Sequence, residues 1–303
     1  MKKIPLLRSP SVKLCLMTLA LLTACETSRP LVKTELAQRV AAPAWMIRRE
    51  IPAGSYLLTA YERIHDYNST VNVYIEGNGP TPEYPTALHL ATKDKTDNII
   101  YLAQPCQYSG LIKDDSECTL TGEQAYAPTS LEAMNAALDE IAKRYNVRGF
   151  HLIGYDGGAT IATNLAASRK DILSLRTVAG IMDTDAYNDA HGWPRTKNAQ
   201  NPALKAATLS NLPQYHFIGG QDAQVPPSVL HSYFQALPPT RCVRYELIQE
   251  NEHEDGWVEK WPDLLKRPVN CNGAVPQDFN ALDLVAQEGP APYETVREIP
   301  EKP

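Results

Sequence analysis

Three side chains, far apart along the chain, carry the residue types of a nucleophilic site. Asp156 stands in Gly154-Tyr155-Asp156-Gly157-Gly158, between an apolar run at residues 150–153 and a stretch of small residues at 159–167. Apolar run, glycine-bracketed turn, then a helix with small side chains towards a sheet: this layout lifts the middle residue to the tip of a turn. The glycines are needed because such a turn strains the backbone and the helix must pass close to the strand. A group at the tip gains the N-terminal dipole of the helix and the backbone N–H of Gly157. Asp222 follows Gly219-Gly220-Gln221, just past a predicted strand at 214–218, and His253 follows another at 242–248. Nucleophile, acid and imidazole thus come in that order along the chain.

The usual side chain at such a tip is serine, whose hydroxyl a histidine deprotonates on the way to an acyl-enzyme. A carboxylate has no proton to give at neutral pH, and its attack on an ester carbonyl would produce an anhydride. Two carboxylates flanking one imidazole also favour the charged ring, which raises its pKa and withdraws it as a base. Each residue has a plainer reading. Asp222 would serve as the cap of a turn, and His253, among Glu252, Glu254 and Asp255, as a solvated surface side chain. No second histidine lies at metal-ligand spacing, and nothing in the sequence calls for a cofactor. His151 and His216 fall inside predicted strands and read as sheet residues. Cys106 and Ser109 lack the turn geometry of a nucleophile.

The elements that must position these groups alternate along the chain. Strands are predicted at 56–64, 71–75, 98–102, 150–153, 173–181, 214–218 and 242–248. Helices are predicted at 85–93, 130–144 (with Ser130 as its cap), 159–167, 228–237 and up to 265. The pattern implies a mainly parallel sheet covered on both faces, an α/β fold whose sites lie beyond the carboxyl ends of the strands. Strand 71–75 runs into Glu76-Gly77-Asn78-Gly79-Pro80, a turn too tight for ordinary residues. Residues 183–212 read as irregular and suit a small lid carrying Tyr187 and Trp193.

With Val73-Tyr74-Ile75-Glu76-Gly77-Asn78-Gly79, the glycine-bracketed turn, Gly219-Gly220-Gln221-Asp222 and His253-Glu254-Asp255-Gly256-Trp257 in this order, the chain resembles bacterial lipoproteins of the α/β-hydrolase fold. The resemblance spans about residues 56–265. It implies Asp222 as the acid orienting His253, and His253 as general base. It also implies an oxyanion hole from the N–H of Gly157 and one in Gly77–Gly79, taken as that of Asn78. It further implies a small-molecule or lipid-like substrate and esterase-like hydrolysis. Asp156 departs from the pattern. Within this fold, haloalkane dehalogenases and epoxide hydrolases do use aspartate, against an sp³ carbon: its charge vanishes in the alkyl ester, and the histidine is then free to activate water. They place a tryptophan after the aspartate or tyrosines in a lid, whereas Gly157 follows here. The other readings are a replaced serine, or a degenerate hydrolase fold serving as a binding or scaffold lipoprotein.

The N-terminal segment, 1–24, reads as a processing signal. Lys2, Lys3, Arg8 and Lys13 precede an apolar run at 14–22, well short of the ~20 residues that span a bilayer. Leu22-Thr23-Ala24-Cys25 resembles a lipobox, which implies cleavage before Cys25, a lipid on its sulfur and a membrane partner reached through it. Glu26 in place of Asp leans towards the outer membrane, facing the periplasm. Loss of that segment's four basic residues takes the net charge from −6 to −10. So acidic a chain, without a basic run, excludes nucleic acid as an expected partner. Residues 25–50 are expected as a tether, 51–272 as the hydrolase domain and 273–303 as a Pro- and acid-rich disordered tail. In an oxidising envelope Cys106, Cys118, Cys242 and Cys271 are expected to form disulfides, most simply between neighbours, 106–118 and 242–271.

Overall fold

A computed structural model describes residues 32–109, 111, 118, 124 and 126–272. The signal segment, Cys25 and the tail at 273–303 lie outside them, as does much of the loop at 110–125. The folded body runs from Lys33.

One eight-stranded sheet orders it as β1-β2-β4-β3-β5-β6-β7-β8. The strands are β1 Ile47–Ala53, β2 Tyr56–Arg63, β3 Thr70–Ile75, β4 Ile99–Leu102, β5 Gly149–Tyr155, β6 Ile172–Val178, β7 Gln214–Gly219 and β8 Val243–Ile248. Pairings β1/β2 and β2/β4 are antiparallel, and every pairing from β4 to β8 is parallel. Parallel neighbours need crossovers, and helices supply them on both faces. Against one face lie α3 (Pro128–Tyr145) and α4 (Gly157–Ser168), burying Met134, Leu138, Ile141, Ile161 and Leu165 on Val73, Phe150 and Leu152. Against the other lie α1 (Lys33–Ala41), α2 (Thr86–Lys93) and α7 (Trp257–Leu264), with Trp257 and Trp261 packed near Tyr74, Ile153 and Phe217. Phe150 and Leu152 face one layer and Ile153 and Tyr155 the other, which is the period of a strand read on a sheet covered twice. Among the described residues no helix is long and apolar enough to cross a membrane.

Several sequence-based expectations need revision. The body begins before residue 51: Ala37 and Ala41 of α1 are fully buried, and β1 pairs with β2 from Ile47↔Glu62 to Ala53↔Tyr56. The segment reads as a polar tether because β1 is an edge strand, Ile-Arg-Arg-Glu-Ile-Pro-Ala, whose charges face outward. Ser130 is not a helix cap. Ala127 holds that position, and the Ser130 hydroxyl, inside the first turn, donates to the Gln124 carbonyl. Residues 183–212 are more ordered than a lid: α5 (Thr184–Ala190) is capped by the Asp183 carboxylate, which accepts from Asp185 N and Ala186 N. A 3₁₀ helix, Pro202–Leu209, then packs Ala203 and Ala206 into the body beside Ala159 and Met182. The remaining helix is α6, Pro227–Gln235. Both disulfides are present, Cys106–Cys118 and Cys242–Cys271.

The close passage of α4 over the sheet makes a sharp demand. A Cβ on Gly158 would overlap the carbonyl oxygens of Ile75 and Glu76 at the end of β3. Gly158→Ala is therefore expected to cost at least about 1–3 kcal/mol, the usual range for an overpacked site. Urea unfolding would register this as a lower midpoint at unchanged slope, and an unshifted midpoint would refute the close approach.

Candidate active site

The site is assembled at the carboxyl ends of β3, β5, β7 and β8. Asp156 leaves β5 with φ 49° and ψ −124°, outside the ordinary regions for a residue with a side chain. The conformation is pinned from several sides. Asp156 N donates to Val178 O at 3.1 Å, while its carbonyl accepts from Ala159 N at 3.0 Å and Ile181 N at 3.1 Å. Gly154 is required because a Cβ there would lie 2.5 Å from Ala159 Cα. A Cβ on Gly157 would press on the Asn78 side chain, 2.2 Å from its Oδ1, and on the Tyr126 hydroxyl at 2.6 Å, so a larger residue there would require both to move.

The Asp156 carboxylate is divided between two environments. Its Oδ1 faces His253 Nε2 at 3.6 Å, an ion-pair distance longer than a hydrogen bond. Its Oδ2 nestles against Gly77, where a Cβ would come within 2.9 Å of it. The backbone N–H groups of Gly157 and Asn78 face the carboxylate and favour its charged form. These are the two groups expected to form an oxyanion hole, and the side chain of Asp156 lies beside them.

His253 bridges the acids. Its Nδ1 lies 3.0 Å from Asp222 Oδ2 and 3.2 Å from Oδ1. The ring is held through its own backbone: the His253 carbonyl accepts from Trp257 Nε1 at 2.9 Å and from the Tyr155 hydroxyl at 3.3 Å. Asp222 is fully buried and also caps its turn, with Oδ1 accepting from Gln224 N at 2.9 Å and Val225 N at 2.7 Å. Gly219 and Gly220 let the acid turn and the histidine loop touch, since a Cβ on Gly219 would collide with the Asn251 carbonyl and one on Gly220 would lie 2.7 Å from Gln249 Cα.

Burial and charge set the ionisation. Burial pushes the Asp156 carboxyl above the ordinary range, and the Asp222 charge adds to this, against the pull of His253 and the two N–H groups. Burial alone would lower the His253 pKa. The hydrogen bond that Nδ1 donates to Asp222 and the charges of Asp156, Asp222 and Glu254 overcome it and raise the pKa of the ring above the usual 6.5.

The other candidates lie elsewhere. His216 is buried in β7 between the Thr177 hydroxyl and Gln214, with burial lowering its pKa to about 3. His151 meets the Ser174 hydroxyl at 2.7 Å. The Ser109 hydroxyl donates to the Leu57 carbonyl, and Cys106 is oxidised. Tyr126 escaped the sequence reading, for it lies in a stretch without periodicity; it is 4% exposed, and its hydroxyl lies near the side chains of Asn78 and Thr160 without a well-aligned hydrogen bond among the described residues. Tyr187 of α5 packs against it, and burial followed by the charges of Asp156 and Asp222 pushes its phenol up to about 12.

No protein-family model and no curated protein matches the chain. Solved structures do, 1025 chains in all. An esterase of Pyrococcus furiosus superposes with a TM-score of 0.57 at 13% identity, over 78% of this chain and 94% of that one. Est1E from Butyrivibrio proteoclasticus gives 0.56 at 15%, over 72% and 96%. An alpha-beta serine hydrolase homologue from Coxiella burnetii gives 0.54 at 16%, over 73% and 96%. The chain has the α/β-hydrolase fold. A scaffold common to so many chains fixes where the groups stand, and leaves the chemistry to the residues themselves.

The charge arrangement has a direct readout. Asp156→Asn removes one of the two carboxylates facing the ring, so the His253 pKa should fall relative to the unaltered chain. Titration of the ring protons by NMR measures it, and an unchanged or raised value contradicts the pairing. The stability contributed by the raised His253 pKa is present below pH 6.5 for as long as the facing acids stay ionised, and is lost as the pH rises through the folded-state pKa.

Proposed function

We propose that the protein is a lipid-anchored envelope hydrolase in which Asp156 is the nucleophile. It takes a small or lipid-like substrate bearing a leaving group on an sp³ carbon. One observation supports this reading: Asp156 Oδ2 lies against the Gly77 backbone, and the N–H groups of Gly157 and Asn78 favour the charge of that carboxylate. An ester substrate needs that hole for its own carbonyl oxygen, so serine-type acyl transfer has no room. An alkyl ester formed on Asp156 would instead have its carbonyl in place.

In the first step Asp156 Oδ1 attacks the carbon. The new C–O bond forms as the leaving group departs with its electron pair. The Tyr126 hydroxyl, beside the elbow, is available to donate to that departing atom. Esterification removes a negative charge facing His253, which lowers the pKa of the ring and makes neutral imidazole accessible. His253 Nε2 then takes a proton from water, oriented through Nδ1 by Asp222. Hydroxide adds to the Asp156 carbonyl carbon, and the resulting oxyanion rests on the two N–H groups. Collapse expels the alcohol, which takes the proton from His253, and the carboxylate is restored.

Anchoring through Cys25 in the outer membrane, facing the periplasm, is part of the proposal and rests on Leu22-Thr23-Ala24-Cys25 and Glu26. Two disulfides agree with an oxidising compartment. A second reading, a binding or scaffold protein, is favoured by the same protonated His253, which makes a stable ion pair between two acids.

A single turnover in ¹⁸O-water separates the two. The hydrolase places one heavy oxygen in the Asp156 carboxylate, found by mass spectrometry of the peptide. His253→Gln should accumulate the alkyl adduct at the same residue. A panel of alkyl halides and epoxides that gives neither label nor adduct leaves the scaffold reading in possession.

A further inference from the structure

Beneath the elbow, the loop Glu76-Gly77-Asn78-Gly79 is gripped by two buried amides from the segment after β4. Gln104 and Gln107 are only 2% and 1% exposed. Gln104 Nε2 donates to the Glu76 carbonyl at 2.7 Å. Gln107 Nε2 donates to the Gly77 carbonyl at 2.9 Å and to that of Gly79 at 3.2 Å, while its Oε1 accepts from Gln104 N at 3.0 Å. From below, Glu76 Oε1 accepts from Gly77 N at 2.9 Å.

The Gly77 carbonyl and the Asn78 N–H belong to one peptide unit. Because that unit is planar and trans, fixing the direction of its C=O fixes the direction of its N–H. Donation into the carbonyl also polarises the unit and strengthens its N–H as a donor. We infer that Gln107 is a positioning residue of this site: by clamping the Gly77 carbonyl it aims the Asn78 N–H at the carboxylate and at the oxyanion that later forms there. The inference rests on the proposed role of that N–H in hydrolysis.

The chain around Gln107 is built to hold it still. Cys106 and Tyr108, on either side, have positive φ of 69° and 60°, conformations that persist only where surrounding contacts over-determine them. Cys106 is tied to Cys118, Tyr108 N donates to the Thr81 hydroxyl at 3.0 Å, and the Tyr108 hydroxyl donates to the Pro82 carbonyl at 3.1 Å. Ser109, in the same segment, holds the Leu57 carbonyl and reaches the Gln107 carbonyl at 3.5 Å, leaving both side-chain donations of Gln107 to the oxyanion loop untouched. It is the matched control.

The test compares Gln107→Glu, which keeps the acceptor for Gln104 N and loses both donations, with Ser109→Ala. In ¹H–¹⁵N spectra of the full chain, Gln107→Glu should move the Asn78 amide proton upfield and speed its exchange with solvent. Ser109→Ala should leave that resonance in place. If Gln107→Glu does not fold, Gln107→Met serves in its stead, also lacking the donor. An unmoved Asn78 resonance, or an equal shift in Ser109→Ala, overturns the assignment whatever the protein catalyses. With a substrate that labels Asp156, the Gln107 variant should lose roughly 10- to 100-fold in kcat with little change in KM, part of the loss seen when an oxyanion donor is removed outright. A KM effect alone contradicts a positioning role. A shifted Asn78 amide in a chain that labels with no substrate leaves the clamp standing and removes the hydrolytic reading alone.

Discussion

The site depends on one crowded crossing, where α4 passes over the carboxyl end of the sheet and forces the residue between strand and helix to point at the rim. Gly154 meets Ala159, Gly158 meets the last carbonyls of β3, and Asp156 takes up the remaining turn at positive φ. The neighbouring loops are shaped to the same crossing: the oxyanion loop follows β3 next door, and the acid and histidine follow β7 and β8 further along the parallel half of the sheet.

Charge then decides what such a turn can do. A hydroxyl at its tip would leave the N–H groups free for a substrate oxygen; a carboxylate reaches them itself. Its burial disfavours the charge, while the N–H groups and a protonated His253 favour it. His253 in turn is held charged by acids on both sides. The resting site thus sets two acids around one imidazole, an arrangement that favours the charged ring and opposes its use as a base. On the proposed reading, consuming one carboxylate in an alkyl ester removes a charge facing the ring and lowers its pKa, so that the electrostatics set the order of the steps.

Much of this was legible in the residues. The buried strands read as apolar runs because both faces are covered, and Asp156, Asp222 and His253 each follow one of them. The glycine pairs signalled close approaches that the structure contains, down to Gly219 against the Asn251 carbonyl. The misses have physical causes. β1 hid behind the charges that protect an edge strand, and α1 behind a polar composition with two buried alanines. Tyr126, Gln104 and Gln107 carry no periodic signal, since they lie in loops, and their burial follows from packing between segments distant in sequence. That the carboxylate would lie beside the hole was likewise invisible, for it depends on how far a side chain reaches from one strained backbone position.

The account turns on that placement, and a fluorophosphonate probe tests it most directly. The reagent phosphorylates a serine hydroxyl activated by histidine and presents an oxygen to two backbone donors, so it needs the hole empty. Intact-mass measurement should show no adduct on the unaltered chain and one stoichiometric adduct at position 156 in Asp156→Ser. Labelling of the unaltered chain at any residue, or an unreactive Asp156→Ser that is fully folded, would contradict it.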